Sequence, residues 1–384
     1  MFYLDNAATS YKKPREFYKA MNKYTKKYSV NSGRGGHKFS IDGMKGILHT
    51  SEELAGLFNI DNSERIAYTA NATMSLNMAI SGILSNGGHV IVTQMEHNSV
   101  LRPVHKYNNY TFVKADKYGR VSPYDIKEAI TDNTKLIVAT HASNICGTVL
   151  PIAEIGRVAQ HYNIPFLVDA AQTAGCRLID VEEMNIDMLA FSAHKGLLGP
   201  LGVGGLYVRE GIELEPLLLG GTGSYSESLT QPRDMPDFLH SGTLNTPAIM
   251  ALASSIGYIK RNSVEVISAK QTELAYMLIE RLMNMKNVTV YGITDRKQGE
   301  RNGTVLFNID GIDSAKVSRI LNDEFKIAVR GGWHCAYLAH IALGSEKSGA
   351  VRVSFGAFSD VRDMLVLANA IYTISKLNEG VVEK

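Results

Sequence analysis

The sequence predicts an α/β fold, a large, mostly parallel sheet of seven strands with helices on both faces, accompanied by a smaller α+β domain. Three observations predict it. Seven short runs rich in β-branched and aromatic residues recur through the first half of the chain, segments of helical period separate several of them, and the pattern changes beyond about Asn262. Parallel neighbours need crossover connections, which the intervening helices supply.

The strand-like runs are residues 65–69, 89–93, 110–114, 135–140, 166–169, 188–192 and 203–208. In residues 73–85, 99–108, 123–130 and 152–161 apolar side chains fall three and four apart, as a half-buried helix requires. Beyond residue 262 come a long amphipathic segment at 264–285, a strand at 304–309, a helix near 314–325 and a last helix near 360–377. With 384 residues the chain exceeds one ordinary core, which predicts a large domain over 16–261 and a small one from 1–15 with 262–384.

Composition narrows the function classes. The chain is 45% hydrophobic, and 40 basic against 38 acidic residues leave a formal charge of +2 with no basic block. That balance argues against nucleic-acid or membrane partners and favours a small molecule. The start, Met1 to Asn6, lacks a basic region followed by an apolar run, and no apolar stretch reaches about 18 residues. The expectation is a cytoplasmic protein. Cys146, Cys176 and Cys335 form neither a CxxC pair nor a disulfide framework, so each is judged as a single thiol.

In an open α/β sheet, ligands bind beyond the carboxyl ends of the strands, and residues with useful chemistry gather there. Ala72 and Thr73 open a helix, whose unpaired N–H groups and hydroxyl suit a phosphate, and Ser192 and His194 can add donors; the plainer reading makes Thr73 an N-cap. Asp169 ends an apolar strand and calls for a cation or several donors, unless it merely caps a loop. Lys195 follows the next strand, where a lone lysine is usually just solvated. No GxxxxGK[ST] loop is present, and Gly202-Val203-Gly204-Gly205 enters a strand instead of opening a helix. The ordered set of phosphate donors, the His97 ring, Asp169 and then Lys195 raises the odds of a flat, phosphorylated heterocycle.

At these residues the sequence resembles the class V aminotransferase family of pyridoxal-phosphate enzymes, and within it the cysteine desulfurases of the shorter-loop subgroup, which are similar to selenocysteine lyases. The likeness runs from Tyr3-Leu4-Asp5-Asn6-Ala7-Ala8 to the region of Arg352, through Val168-Asp169-Ala170-Ala171-Gln172 and Ser192-Ala193-His194-Lys195-Gly196. The resemblance implies the type I fold of these transferases, with pyridoxal 5'-phosphate as cofactor. Lys195 would hold its aldehyde, Asp169 its protonated ring nitrogen, Gln172 the ring hydroxyl with Asn144 nearby, and His97 would stack on the ring. Ala72, Thr73, Ser192 and His194 would bind the phosphate, and Thr243 would reach that of a second copy in a homodimer.

Two further segments of the resemblance imply desulfurase chemistry on L-cysteine. Arg330-Gly331-Gly332-Trp333-His334-Cys335-Ala336 resembles the loop with the sulfur-accepting cysteine, and Val351-Arg352-Val353-Ser354 the strand whose arginine binds the substrate carboxylate, with Arg330 and Asn144 close by. The catalytic set would be Lys195, His97 and Cys335, with persulfide sulfur passing to an acceptor protein for iron–sulfur or related synthesis. Arg330 near the thiol would favour thiolate; a small buried hydrophobe is the plainer reading of any cysteine, and it is the one expected of Cys176. Cys146 is expected near the cofactor without being the nucleophile. His334, Cys335 and His340 match no common zinc spacing, so no metal is expected. L-selenocysteine, transamination and epimerisation remain open alternatives. The sequence departs from the family at Met74, Trp333 and Leu244, where glutamate, histidine and proline are frequent.

Overall fold

The computed structural model describes residues 1–33 and 35–382, with side chains as far as Leu377. Strand β1 (Phe2–Tyr3) is followed by the seven that build the main sheet: β2 (Ile66–Thr69), β3 (His89–Thr93), β4 (Tyr110–Val113), β5 (Thr134–Thr140), β6 (Phe166–Asp169), β7 (Met188–Ser192) and β8 (Gly204–Val208). Their order is β2-β8-β7-β6-β5-β3-β4, and β8 runs antiparallel to both its neighbours while all other pairs are parallel. The seven runs seen in the sequence are these strands. Their ends move by a residue: Arg65 belongs to a 3-10 turn, Lys114 and Val203 fall outside, and Thr134 joins β5.

The sheet is covered on both sides, so the middles of its inner strands are apolar on both faces. Ile91, Ile137, Val168 and Phe191 pack into one core layer, while their chain neighbours Val90, Val138, Leu167 and Ala190 pack into the other. This is the period of two expressed in a doubly covered sheet. The flanking helices are α1 (Arg15–Lys27), α2 (Lys38–Phe58), α3 (Ala72–Ile83), α4 (Asn98–Tyr107), α5 (Pro123–Glu128), α6 (Ile152–His161) and α7 (Thr246–Asn262). The sequence pattern had not singled out α1, α2 or α7. In α2, a Cβ on Gly46 would stand 2.3 Å from Met250 of α7, so the glycine permits close helix packing.

After α7 the chain builds a second layer of α8 (Val264–Met283), β9 (Val288–Tyr291), β10 (Thr304–Ile309), α9 (Ser314–Asp323), β11 (Ile327–Ala328), β12 (Arg330–Gly332), α10 (Tyr337–Leu343), β13 (Ala350–Ser354) and α11 (Val361–Val382). An antiparallel sheet of order β12-β13-β10-β9 packs against α8, α9 and α11 through Leu278, Phe307, Val317, Val353 and Leu367. Strands β9 and β12 were not expected. β1 pairs in parallel with β11, which puts Leu4 in this second core. Residues 5–13 then cross to the carboxyl end of the main sheet, where Ser10 N–H donates to the carbonyl of His194 at 3.1 Å.

Candidate active site

Where β2, β3, β5, β6 and β7 end, a cavity of about 230 Å³ opens, lined by Ala72, Thr73, His97, Asn144, Asp169, Gln172, Ser192, His194 and Lys195 together with Asn71, Leu76, Ser99, Thr140 and Ala171. Strand-end loops of a parallel sheet all exit on one side, which is why residues spread over more than 120 positions meet. A larger cleft of about 830 Å³ lies elsewhere, and its arginines Arg120, Arg177 and Arg296 are already paired with Asp116, Glu300 and Glu273. The smaller cavity carries the chemistry.

One wall is the start of α3. Asn71, not Thr73, is the cap: its side chain accepts from Met74 N–H at 3.0 Å. Ala72 N–H is not left open as expected, because it donates to Ser192 Oγ at 2.9 Å, which turns the Ser192 hydroxyl proton outward to another acceptor. Thr73 N–H remains among the first-turn donors that a helix cannot satisfy itself. With the His194 ring these groups form a donor set suited to an anion at a helix N-terminus.

On the floor, Asp169 is buried and Oδ1 accepts from Ala171 N–H at 2.9 Å. Burial raises its pKa, opposed by that hydrogen bond and by the Lys195 charge. Lys195 is pushed down to about 8, first by burial and with Arg352 and Arg330 adding, while Asp169 and Asp5 oppose. The ammonium and the carboxylate face one cavity without forming an ion pair among the described residues. His97 caps α4: its Nδ1 accepts from Ser99 N–H at 3.1 Å, so a neutral ring carries its proton on Nε2. Burial, then Lys195, Arg352, Arg330 and Arg102, hold its pKa at about 4. Ser99 Oγ also meets Thr73 Oγ1 at 2.7 Å, joining the His97 wall to α3.

Arg352 on β13 is 2% exposed, with Nη2 2.6 Å from Asp5 Oδ1, Nη1 donating to Asn144 O at 3.1 Å, and Nε without a partner. Arg330, its partner across β12 and β13, has an exposed side chain. Cys335 is a free, exposed thiol. It does not line the cavity, but its loop is fastened to the rim, since Cys335 O accepts from Asn98 N–H at 2.8 Å and His334 O from the Asn144 amide at 2.9 Å. His334 and His340 stack beneath it, their nitrogens 3.4 Å apart. Cys176 is the buried thiol expected, held up at about 11 by burial. Cys146 is buried too, but it meets Thr148 Oγ1 at 3.2 Å and packs under Gly119 and Gly292, outside the cavity lining, because its side chain points into the core beneath the loop. Thr243 is exposed and apart from the cavity.

The sequence did not single out Thr9, Ser10, Lys13 or Ser99 as parts of the site, and it placed Glu96 with His97 after a strand without giving it a role. Glu96, fully buried beside His97, has a legible signal, since a carboxyl next to an apolar strand must be compensated. The others are joined to the site by contacts that no local pattern announces.

The sequence model of class-V aminotransferases matches residues 2–367. Among relatives, a protein of Methanothermobacter thermautotrophicus named "Probable cysteine desulfurase" is 33% identical over 97% of this chain and 94% of its own. A Haloferax volcanii "Cysteine desulfurase" is 31% identical over 97% of this chain and 88% of its own. The apo structure of the cysteine desulfurase from Thermococcus onnurineus NA1 superposes with a TM-score of 0.91 at 31% identity, covering 99% of this chain and 95% of that one. With a family match over nearly its whole length, the chain belongs to the class-V aminotransferase family.

Proposed function

We propose that this chain is a pyridoxal-phosphate-dependent cysteine desulfurase that converts L-cysteine to L-alanine and leaves the sulfur on Cys335. The observation that carries the reading is a single cavity in which an anion-suited helix start, the Asp169 carboxylate and the Lys195 amine converge, with an exposed thiol on a loop fastened to its rim. The residues fit the cofactor. Lys195 would hold the aldehyde, Asp169 the ring nitrogen, Gln172 the ring hydroxyl, His97 the ring face, and Thr73, Ser192 and His194 the phosphate, with Ala72 orienting Ser192.

Bound there, the cofactor supplies an electron sink for charge developing at the substrate α-carbon. Asp169 keeps that sink effective by favouring the protonated nitrogen. Arg352 binds the substrate carboxylate through its planar donors, with Asn144 fixing the guanidinium and Arg330 adding positive charge. Lys195, pushed down to about 8, is partly neutral near neutral pH and can take the α-proton; His97 moves protons at Nε2. The Cys335 thiolate attacks the substrate sulfur, forming an S–S bond as the carbon–sulfur bond breaks and its electron pair stays with carbon, where a proton then completes alanine. The exposed site of Cys335 beside exposed Trp333 and Tyr337 favours hand-over of the sulfur to an acceptor protein.

The same reading includes a homodimer and a division into domains at 16–261 and 1–15 with 262–384. Between Gly211 and Asn245 the chain has little regular structure and exposes Leu217, Leu218, Leu219, Tyr225 and Leu229, apolar surface that a second copy would cover near Thr243. The core around Leu4 and Leu278 draws only on the second of these parts, which supports the division, while the core around Leu54 and Ile137 takes in Val264, Ile267, Leu306 and Ala350 and so packs the two parts together. Among the described residues no helix is long and apolar enough to cross a membrane.

The test is product analysis with L-cysteine, L-selenocysteine and an amino acid plus keto acid. Cys335→Ser should lose alanine release from cysteine by at least about 100-fold while still binding the cofactor, and mass spectrometry should find one extra sulfur on wild-type Cys335. Undiminished alanine release from the variant would remove the nucleophile. A borohydride-reducible link between cofactor and protein persisting in Lys195→Ala would remove the aldehyde anchor.

A further inference from the structure

Four hydrogen-bond donors crowd the carbonyl of His194, the residue before Lys195, and all come from the amino-terminal strap. Ser10 N–H lies 3.1 Å from that oxygen, Ser10 Oγ 3.0 Å, Thr9 Oγ1 3.1 Å and Lys13 Nζ 2.8 Å. A carbonyl oxygen has two lone pairs, so the hydrogens must be shared out. Lys13 Nζ and Ser10 N–H fill both. Ser10 Oγ accepts from Lys13 at 2.7 Å and has a second, closer acceptor in Lys195 O at 2.9 Å. The Thr9 hydroxyl is then left with one acceptor, His194 Nδ1 at 3.0 Å.

From this sharing we propose that Thr9 is a positioning residue that fixes His194 in the tautomer with its proton on Nε2, so that the ring donates to an anion in the cavity. The inference rests on the cofactor reading above and goes beyond it to a residue 185 positions from the ring it sets. The imidazole lines the cavity, and among the described residues Nε2 has no protein partner. Burial, with Lys195 and Lys13 adding, keeps His194 neutral at ordinary pH with its pKa at about 4, so it has one proton to place. In the other tautomer Nδ1–H would point at Thr9, whose hydroxyl would compete with the Lys13 ammonium for the filled carbonyl, while a bare Nε2 faced the phosphate. The Thr9 bond also fixes the plane of the ring. Lys13 takes part indirectly, by occupying the oxygen that would otherwise draw the Thr9 hydroxyl away.

The test is equilibrium binding of pyridoxal phosphate and of pyridoxal, which lacks the phosphate, to the cofactor-free full chain. Wild type should bind the phosphorylated form more tightly. Thr9→Val should weaken that form at least about tenfold, the scale of one lost hydrogen bond to a charged group, and leave pyridoxal unchanged. Thr9→Ser should restore the difference. Nitrogen NMR of histidine-labelled wild type, with the His194 signal assigned by its loss in His194→Gln, should show Nδ1 unprotonated. If wild type binds neither compound, the cofactor reading itself fails; if wild type shows the preference and Thr9→Val keeps it, or if Nδ1 carries the proton, the role given to Thr9 is overturned.

Discussion

Glu96 is a carboxyl group with no cation to answer it among the described residues. Its Oε1 accepts from Thr93 Oγ1 at 2.6 Å and from Thr140 N–H at 2.7 Å, and its Oε2 has no partner among the described residues. Burial pushes its pKa up to about 8, the Thr93 hydrogen bond opposes and the Asp169 charge adds. At neutral pH it is therefore mostly a neutral acid that ties the His97 loop to β5. Because the folded value lies above the unfolded one, its contribution is fully present below about pH 4.5 and is lost as pH rises through about 8. His97 and His194, lowered to about 4, act with the opposite sign, since their contribution is present above about 6.5 and is lost as pH falls through about 4. Glu96→Gln should gain stability relative to wild type as pH is raised from 4.5 to 8. Urea unfolding of the cofactor-free chain across that range checks it; parallel curves for variant and wild type would mean that Glu96 is ionised in the fold.

At the level of elements, the turns after β6 and β7 hold each other. Gly175 has φ +83°, and a Cβ there would stand 2.6 Å from the carbonyl oxygen of Gly196, the residue after Lys195. Backbone meets backbone, so nothing flexible can give way. Gly175→Ala should cost about 1–3 kcal/mol, from the strained φ and the clash together, and loosen cofactor retention by displacing the Lys195 loop. Thermal unfolding and cofactor occupancy should fall together; full occupancy in a destabilised variant would show that the turn serves stability alone. The Cys335 loop poses the same problem with different residues. His334 and Cys335 both lie at positive φ, 52° and 58°, and neither is glycine. Their carbonyls are fastened by Asn144 and by Asn98 N–H, which offsets a conformation that would otherwise relax.

For the molecule as a whole, the main sheet and the second layer are joined by buried polar contacts as well as apolar ones. Arg301 is 1% exposed and donates to the carbonyls of Ile293, Asn302 and Thr304 and, across to the main-sheet side, of Cys146. Burial lowers its pKa to about 10. Arg301→Met keeps apolar volume but leaves four carbonyls without this donor, so stability should drop by about 3 kcal/mol. Urea unfolding should show a lower midpoint with the slope maintained; an unchanged midpoint would mean that water replaces the guanidinium. Arg352 makes a second such tie, from Nη1 to the Asn144 carbonyl across 208 positions, while its pair with Asp5 within the second layer sets where the guanidinium stands before any substrate arrives.

What the sequence determined by itself was whatever repeats over a few residues. The seven strands and helices such as α3 and α6 are legible because burial on a sheet face or helix stripe imposes a period of two or 3.6, and the site residues at strand ends follow once the sheet is known to be parallel. The order Thr73, His97, Asp169, Lys195 could thus be read as one cavity. Tertiary structure alone decided the hydrogen-bond partners: that Asn71 caps α3, that Ala72 is committed to Ser192, that Cys146 turns into the core, and that Thr9, Ser10 and Lys13 arrive under His194. Such contacts depend on distances between segments far apart in the chain, and short-range periodicity carries no information about them.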